Sequence, residues 1–236
     1  MFRRSAACAL GLVIVVCMAA TVTMAQKKGA KRMRDAARHA NAAAMVFRSI
    51  MGTRDKGIPK ELLDRAEAVA VFPGVVKAAF IIGGHGGQGV ISRRIPGGWS
   101  APAFFNLGGA SFGAQIGASK TDYVLLIMNE AGVKGLMEDK FEMGGEAGIA
   151  AGPVGRVASA TTNATLDAGI LSYSRSKGLF AGVALKGAVI NHDNDLNEAV
   201  YEGKKANEVL DREHSLKEMP VVVRIFPQTL AQYSRK

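Results

Sequence analysis

The sequence has only two cysteines, Cys8 and Cys17, and both lie close to its N-terminus. The rest of the chain therefore has no disulfide framework and no thiol that could act as a nucleophile or metal ligand. Aromatic residues make up only 6% of the chain. None of them alternates with arginines as a base-stacking platform requires, so nucleic acid is not an expected partner despite the net charge of +10.

Acidic residues are also missing from a long central stretch, because no Asp or Glu occurs between Glu67 and Asp122. This stretch consists of short apolar runs (68–72, 78–82, 89–92, 99–105 and 114–116) separated by glycine or proline clusters. Such runs are typical of strands and tight turns. Because no helix-length segment separates the central strands, we expect an α+β fold: a glycine-rich, mainly antiparallel sheet, sandwich-like or barrel-like, flanked by N-terminal and C-terminal helices.

The first 25 residues are typical of a secretory signal peptide. Arg3 and Arg4 precede an apolar stretch over residues 5–20. Thr23 and Ala25 are the small residues expected at positions −3 and −1, so they predict cleavage after Ala25. A lipid-modified Cys17 and an uncleaved membrane anchor are the alternatives. We expect an exported protein, periplasmic or secreted, that associates peripherally with a membrane.

Basic residues dominate the next segment, where Asp35 is the single acid among Lys27, Lys28, Lys31, Arg32, Arg34 and Arg38. Over residues 33–51 apolar side chains recur at helical spacing, and Gly52 follows. This pattern predicts an amphipathic helix with a basic leading edge. Its apolar stripe could pack on the sheet, its basic edge could lie on an anionic membrane surface, and the two are compatible.

Turn and cap residues divide the rest of the chain. Pro59 predicts a short helix to about residue 67, and Asn129 caps another. Residues 123–128 form an apolar run that predicts a central strand, and Lys177-Gly178 predicts a hairpin turn into residues 179–190. One or two helices are expected over 194–209, and a strand followed by a short helix over 220–233. The predicted domains are a signal peptide (1–25), the basic helix (26–52), an α+β domain (53–212) and a C-terminal extension (213–236).

Two glycine motifs suggest enzymes but lack the necessary context. The run Gly84-His85-Gly86-Gly87-Gln88-Gly89 fits a dinucleotide fingerprint, yet neither a helix nor a nearby acid follows, so we interpret these glycines as turn residues. Ser111 occupies a GxSxG pattern, but no helical pattern follows it. The four histidines lack metal-ligand spacing. We therefore predict no catalytic residues, no metal and no cofactor, with a GxSxG serine hydrolase as a remote alternative.

Several segments, taken in order and spacing, resemble the SYLF domain family. They include the GGHGGQGV run, Trp99-Ser100-Ala101-Pro102 and Tyr173-Ser174-Arg175-Ser176-Lys177-Gly178-Leu179-Phe180, and the resemblance spans about residues 40–210. It implies a lipid-binding module. Eukaryotic members bind phosphoinositides through a basic amphipathic N-terminal segment, some bind actin, and no catalytic residues are established.

These observations lead to one principal hypothesis, an exported, non-enzymatic domain that binds anionic phospholipid or phosphoinositide-like headgroups at a membrane surface. The candidate lipid-binding residues are all basic: Lys27, Lys28, Lys31, Arg32, Arg34, Arg38, Arg93, Arg94 and Lys177. The alternative is a structural or protein-interaction module of the cell envelope, an actin-binding-like scaffold whose positive face docks an acidic protein without a lipid ligand.

Overall fold

The computed structural model describes residues 2–53, 57–80, 82–112, 117–145, 148–155, 168–211 and 219–234, with side chains described except at 2–26, 78–83 and 110–118. The helices are α1 (Phe2–Met51), α2 (Lys60–Arg65), α3 (Glu130–Met137), α4 (Asn194–Val200), α5 (Ala206–Leu210) and α6 (Ile225–Tyr233), with a 3-10 turn at Val221–Val223. The strands are β1 (Ala68–Phe80), β2 (Ile82–Ile95), β3 (Gly98–Trp99), β4 (Ala103–Phe112), β5 (Gly117–Ile127), β6 (Lys140–Glu142), β7 (Ile149–Ala151), β8 (Ile170–Ser176), β9 (Leu179–Gly182) and β10 (Val189–His192).

The strands form one curled sheet in the order β6-β10-β4-β2-β1-β5-β8-β7, with β3 added to β2 and β9 added to β8. Only the β7–β8 pair is parallel among the described pairs. Helices α1 and α6 flank this half-barrel and contribute to the same apolar core. The predicted α+β class with a glycine-rich, mainly antiparallel sheet is confirmed.

A bulge divides the four long central strands into two parts. It lies at Pro73-Gly74, where the register of β1 shifts against both of its neighbours. Gly74 adopts a φ of +58°, and its N–H donates to Oδ1 of Asp122 over 2.8 Å. Asp122 also accepts from Nη2 of Arg175 at 2.9 Å, so one carboxylate fixes the bulge to two strands.

The core half of the sheet comprises residues 68–72, 89–93, 103–105 and 123–127, and the glycine half comprises residues 76–80, 82–86, 108–112 and 117–120. In the core half, β1 is buried throughout, and Leu125 and Leu126 are fully buried. In the glycine half, Val76 is 43% exposed and Lys77, Gly84 and Gly86 are exposed. The two halves share strands and hydrogen-bond ladders but differ in what covers them.

The glycine run at 84–89 lies within β2, so its interpretation as a turn is wrong. The predicted run 68–72 lies in β1, and the run 78–82 falls at the end of β1 and the start of β2, apart from residue 81, which lies outside the described residues with run 114–116. The physical reason is packing. A Cβ on Gly89 would lie 2.5 Å from Cδ1 of Phe72, and one on Gly87 would lie 2.8 Å from Cγ2 of Val75. These glycines admit the side chains that flank the bulge.

Helix α1 ends at Met51, before Gly52, as predicted, but it begins far upstream of residue 33. Its apolar stripe is buried against the body of the protein, mainly through Ala36, Ala40, Ala43, Phe47 and Ile50. Small alanine side chains let the helix axis come close to the sheet. The expectation that this stripe packs on the sheet is confirmed, and the stripe is therefore unavailable to a membrane.

The other local predictions have mixed outcomes. Asn129 caps α3 by accepting from the Gly132 N–H over 3.0 Å, and Lys177 and Gly178 form the hairpin turn with φ values of +49° and +81°. The returning strand stops at Gly182, however, and β10 instead pairs with β4 and β6. One or two short helices are expected over 194–209, and the structure has two, α4 and α5.

The strand predicted at the start of the C-terminal segment is wrong, because residues 221–226 form the 3-10 turn and the beginning of α6, whereas the short helix predicted to follow it is confirmed. Val223, Phe226 and Leu230 are all fully buried, and their spacing is helical. Pro227 falls in the first turn of α6, where a missing N–H costs no intrahelical hydrogen bond. The local run of valines is typical of a strand, but the helical spacing of these three buried residues decides the structure here.

Candidate functional site

Residues 27–34 of α1, here called the basic segment, precede the part of the helix that packs on the body. Lys27, Lys28 and Lys31 are exposed, and so are the intervening Gly29 and Ala30. Five consecutive exposed residues exceed one turn of 3.6 residues, so solvent surrounds the helix here. Arg34 is also exposed, and its Nε donates to the Ala30 carbonyl over 3.2 Å. At about 100° per residue, the four exposed basic side chains fall within roughly 120° of one another around the axis, so the segment presents one basic face.

Two further arginines of α1 have carboxylate partners. Nη2 of Arg32 lies 3.1 Å from Oδ2 of Asp195 in α4, and the Arg32 side chain is 25% exposed. Nη2 of Arg38 lies 3.1 Å from Oδ1 of Asp35, and the Arg38 side chain remains 67% exposed. Arg32 therefore attaches the helix to the body, whereas Arg38 extends the exposed basic surface by one turn.

Arg93 and Arg94, also candidates from the sequence, are used inside the fold. The Arg93 side chain is 11% exposed, and its Nη2 lies 3.1 Å from Oε1 of Glu130. Arg94 donates from Nε to the Ala66 carbonyl over 2.8 Å, and its guanidinium lies 4.2 Å from the ring centroid of Trp99. Burial lowers the pKa of Arg94. Arg93 is nearly buried and Arg94 is partly buried, and both guanidinium groups bind partners within the fold.

Lys177 lies at the exposed turn of the β8–β9 hairpin, beside Leu179, whose exposed fraction is 79%. The adjoining Ser176 hydroxyl donates to the Lys120 carbonyl over 3.4 Å. Lys120 is the register partner of Val76, and Lys77 that of Ser119. We call Lys77, Lys120 and Lys177, all exposed, the lysine rim. Sequence reasoning included Lys77 and Lys177 among basic residues that could form a positive face but missed Lys120, although the acid-free stretch of residues 68–121 contains it.

The basic segment and the lysine rim lie towards opposite ends of the packed part of α1. Arg32 contacts Asp195 near one end, whereas the Ser49 hydroxyl accepts from Arg175 near the other. These two helix positions are roughly 25 Å apart at 1.5 Å per residue. The molecule therefore carries two basic surfaces, and different side-chain contacts hold α1 to the body near each of them.

The catalytic alternatives find little support in the geometry. Ser111 lies in β4 and a further strand begins at Gly117, so Ser111 is not on a strand-to-helix elbow. The His192 ring is nearly buried, with Nε2 2.9 Å from the Leu136 carbonyl oxygen. Within the described ranges, no group of three His, Cys, Asp or Glu residues could hold a metal ion. A search of the same residues finds no helix both long and apolar enough to span a membrane.

Most of the recognised motif residues have structural roles. Nε1 of Trp99 donates to the Ser234 hydroxyl over 2.8 Å, and the Tyr201 hydroxyl donates to the Pro102 carbonyl over 2.6 Å. Tyr173 is buried and stacks on Phe180, with ring centroids 5.5 Å apart. The Lys177 side chain is exposed at its turn and stays a candidate for function.

Comparison with known proteins identifies the family. The family model Ysc84, described as "Las17-binding protein actin regulator", matches residues 108–233, more than half of the chain. This chain belongs to that family. The assignment confirms the SYLF resemblance, and the matched range includes Lys120 and Lys177 but not the basic segment or Lys77.

Individual relatives support the same assignment. An SH3 domain-containing protein of Schizosaccharomyces pombe is 40% identical over 150 residues, which cover 62% of this chain and 35% of the relative. LAS seventeen-binding protein 3 of Saccharomyces cerevisiae is 37% identical over 151 residues, which cover 62% of this chain and 33% of the relative. Protein YSC84 of the same yeast is 36% identical over 168 residues, which cover 67% of this chain and 36% of the relative. The chain thus spans about a third of the length of these relatives.

Proposed function

We propose that this chain is a non-enzymatic domain that binds anionic phospholipid at a membrane surface. The observation that carries the proposal is the basic segment, where Lys27, Lys28 and Lys31 are exposed on a helix that solvent surrounds. Arg34 and Arg38 add to the same surface. A cluster of basic residues on a helix surface is a recognised electrostatic attachment to anionic lipid.

The mode of attachment follows from how α1 is packed. Because Ala36, Ala40 and Phe47 are buried in the core, the helix has no free apolar stripe along residues 36–50. Binding through the basic segment is therefore electrostatic, with about 1 kcal/mol for each Lys or Arg near the headgroups. It should weaken as salt shortens the Debye length from about 10 Å at 0.1 M to about 3 Å at 1 M. The separate exposed side chains suit a charged surface better than one enclosed headgroup.

Export remains part of the proposal, since the first 25 residues have the composition of a signal peptide. The domain would then act in the periplasm or outside the cell. Determination of the N-terminal residue of the protein recovered outside the cytoplasm tests this. A start at Gln26 would support export with cleavage after Ala25, whereas retention of the intact N-terminus in the cytoplasm would contradict it.

Docking of an acidic protein is a second candidate, favoured by the family description. The family model names Las17 binding and actin regulation, and one relative is named for binding LAS seventeen. The exposed lysines of this chain could dock an acidic protein partner in the same way, as an actin-binding-like scaffold without a lipid ligand. Such a partner would use the same charges but would not require a bilayer.

Vesicle co-sedimentation of the full chain distinguishes these candidates. Phosphatidylcholine vesicles with and without phosphatidylglycerol are compared at low and high salt. In the test variant Lys27, Lys28 and Lys31 are changed to Glu. The matched control carries the same change at three other exposed lysines, Lys134, Lys140 and Lys186.

The proposal expects binding only to the anionic vesicles, weakened by salt. It expects at least about 100-fold weaker partitioning of the test variant, because three attractive charges become repulsive. The control variant should lose much less of its partitioning onto the anionic vesicles. Equal losses in both variants would show that net charge rather than the basic segment matters. Wild-type protein that binds neither vesicle would favour the protein-partner alternative.

A further inference from the structure

The glycine half of the sheet extends beyond the packed core. Past the bulge, Val76 is 43% exposed, and Lys77, Gly84 and Gly86 are exposed on the paired strands. On β5, Ser119 and Lys120 are exposed as well. Glycine weakens a strand because it has no side chain to pack, and it often marks a place where a ligand approaches the backbone closely.

The charged side chains at the exposed glycine half are all basic. Lys77, Lys120 and Lys177 surround its base, and the strands contain no acid between Ala68 and Thr121. The first acid beyond that stretch is Asp122, which is already bound to Arg175 and to the Gly74 N–H. The lysine rim therefore has no nearby free carboxylate on these strands to compete with an external anion.

Apolar residue types lie beyond the rim. The β1–β2 hairpin closes with Phe80 and Ile82 as register partners, and Phe112 of β4 is the next register partner of Ile82. Phe80 lies three residue steps beyond Lys77 along β1, about 10 Å at 3.4 Å per residue. That length matches the depth of about 5–10 Å to which interfacial elements enter the headgroup and acyl boundary. Leu179, 79% exposed, stands beside Lys177 on the rim.

We propose that the end of the β1–β2 hairpin and the Leu179 turn enter the interface of an anionic bilayer, with the lysine rim at the level of the lipid phosphates. The inference rests on the proposed lipid-binding function and adds a second attachment, remote from the basic segment. Leu179 supplies an exposed apolar side chain, whereas the apolar stripe of α1 is buried. The rim supplies charge complementarity to the phosphates.

The same charge argues against a second copy of the chain as the occupant. Two rims brought together would place three lysines against three lysines, with no acid on these strands to separate them. An acidic protein would satisfy the rim but would have no need of apolar residues at a hairpin end about 10 Å further out. A bilayer meets both requirements with one surface.

Tryptophan fluorescence of the full chain tests the inference. Leu179→Trp places a reporter at an exposed position, and Met45→Trp, at a site 64% exposed on α1, is the control. The native Trp99 is 3% exposed, so the unsubstituted protein supplies the background. Each protein is mixed with phosphatidylcholine–phosphatidylglycerol vesicles that contain or lack lipids brominated on their acyl chains.

The inference expects a blue shift and bromine quenching for Leu179→Trp on anionic vesicles, with neither for Met45→Trp. A Leu179→Trp protein that binds these vesicles while the emission of its reporter stays unshifted and unquenched would overturn the inference and leave the proposed function intact. Failure of the unsubstituted protein to bind at low salt would overturn both. Quenching of both reporters to the same extent would also overturn it, because contact would then not be confined to the rim.

A charge variant gives an independent result. Changing Lys77, Lys120 and Lys177 to Glu is expected to weaken sedimentation with phosphatidylglycerol vesicles at least tenfold, because each lysine that contacts the phosphates loses its attraction. The Lys134, Lys140 and Lys186 variant is again the matched control. Unchanged sedimentation of the rim variant would contradict the inference. Loss in the rim variant with none in the basic-segment variant would support the inference while rejecting the basic segment as the main attachment.

Discussion

The core half and the glycine half are built from the same four strands but have different roles. In the core half, Val69, Val71 and Phe72 are completely buried, and the neighbouring strands contribute Ile91 and Leu125. In the glycine half and at its border, exposed positions alternate along β2 at residues 84, 86 and 88. Continuity of backbone pairing therefore does not imply continuity of core. Among the described residues, the core half holds fully buried apolar side chains, whereas the glycine half includes exposed positions, which we propose contact a membrane.

The boundary between the halves is made by a few residues. Pro73-Gly74 introduces the register shift, and Asp122 holds it through the Gly74 N–H and Arg175. On the facing strand, Gly87 and Gly89 leave room for Val75 and Phe72. Glycine thus has two roles in β2. Next to the core it permits close packing of neighbouring side chains, and further along the strand it leaves the backbone exposed.

Among substitutions that compare the packing of the two halves, Gly89→Ala is expected to lower the free energy of unfolding the most. A Cβ at this position would meet the Val71 carbonyl oxygen and would lie 2.5 Å from Cδ1 of Phe72. Because a backbone oxygen in a paired strand cannot move cheaply, we expect a loss of about 2–3 kcal/mol in the free energy of unfolding. Urea denaturation followed by circular dichroism measures it.

Gly84→Ala is the matched control in the glycine half of the same strand. Its nearest neighbour would be the Gly109 carbonyl oxygen at 3.7 Å, an ordinary contact. We expect a change within about 0.5 kcal/mol. Similar losses in the two variants would mean that the halves are equally packed and would remove the distinction between them.

A smaller effect is expected from the titration of His39, which links α1 to the sheet. Burial and the neighbouring Arg38 lower its pKa, although Asp35, Asp193 and Gln88 act in the opposite direction. A lowered pKa in the folded state means that the unfolded chain binds the proton more readily. The stability contribution is therefore intact above the unfolded pKa of about 6.5 and decreases as the pH falls below it.

His39→Gln should accordingly flatten the dependence of unfolding free energy on pH between about pH 7 and pH 5, a range set by the unfolded histidine pKa. The measurement is a series of urea titrations across that range. His85→Gln is the comparison in the glycine half, where burial and Lys77 lower the histidine pKa. A His39→Gln profile that is parallel to the wild-type profile would show that this histidine does not couple α1 to folding.

Much of this architecture could be predicted from local patterns. The end of α1 at Gly52, the Asn129 cap and the Lys177-Gly178 turn follow from residues that act on their immediate neighbours. The central strand at 124–127 follows from an unbroken apolar run. These features depend on short-range chemistry, which a sequence shows directly.

Other features depend on contacts between distant residues. The glycines of β2 look like turn residues until the Phe72 ring is placed over Gly89. Arg93 and Arg94 look like surface charges until Glu130, Trp99 and the Ala66 carbonyl are brought beside them. The lysine rim joins residues from β1, β5 and the β8–β9 turn, so only the sheet register brings it together.

The central claim, that exposed basic surfaces of this domain contact an anionic bilayer, is tested most directly by hydrogen exchange with and without phosphatidylglycerol vesicles. The expected result is slower exchange in residues 27–34, 76–80 and 177–182, with no change in helix α3, which lies outside both basic surfaces. Phosphatidylcholine vesicles should change none of these. Vesicle-bound protein with unchanged exchange in all three segments, or with protection at α3 instead, would contradict the account.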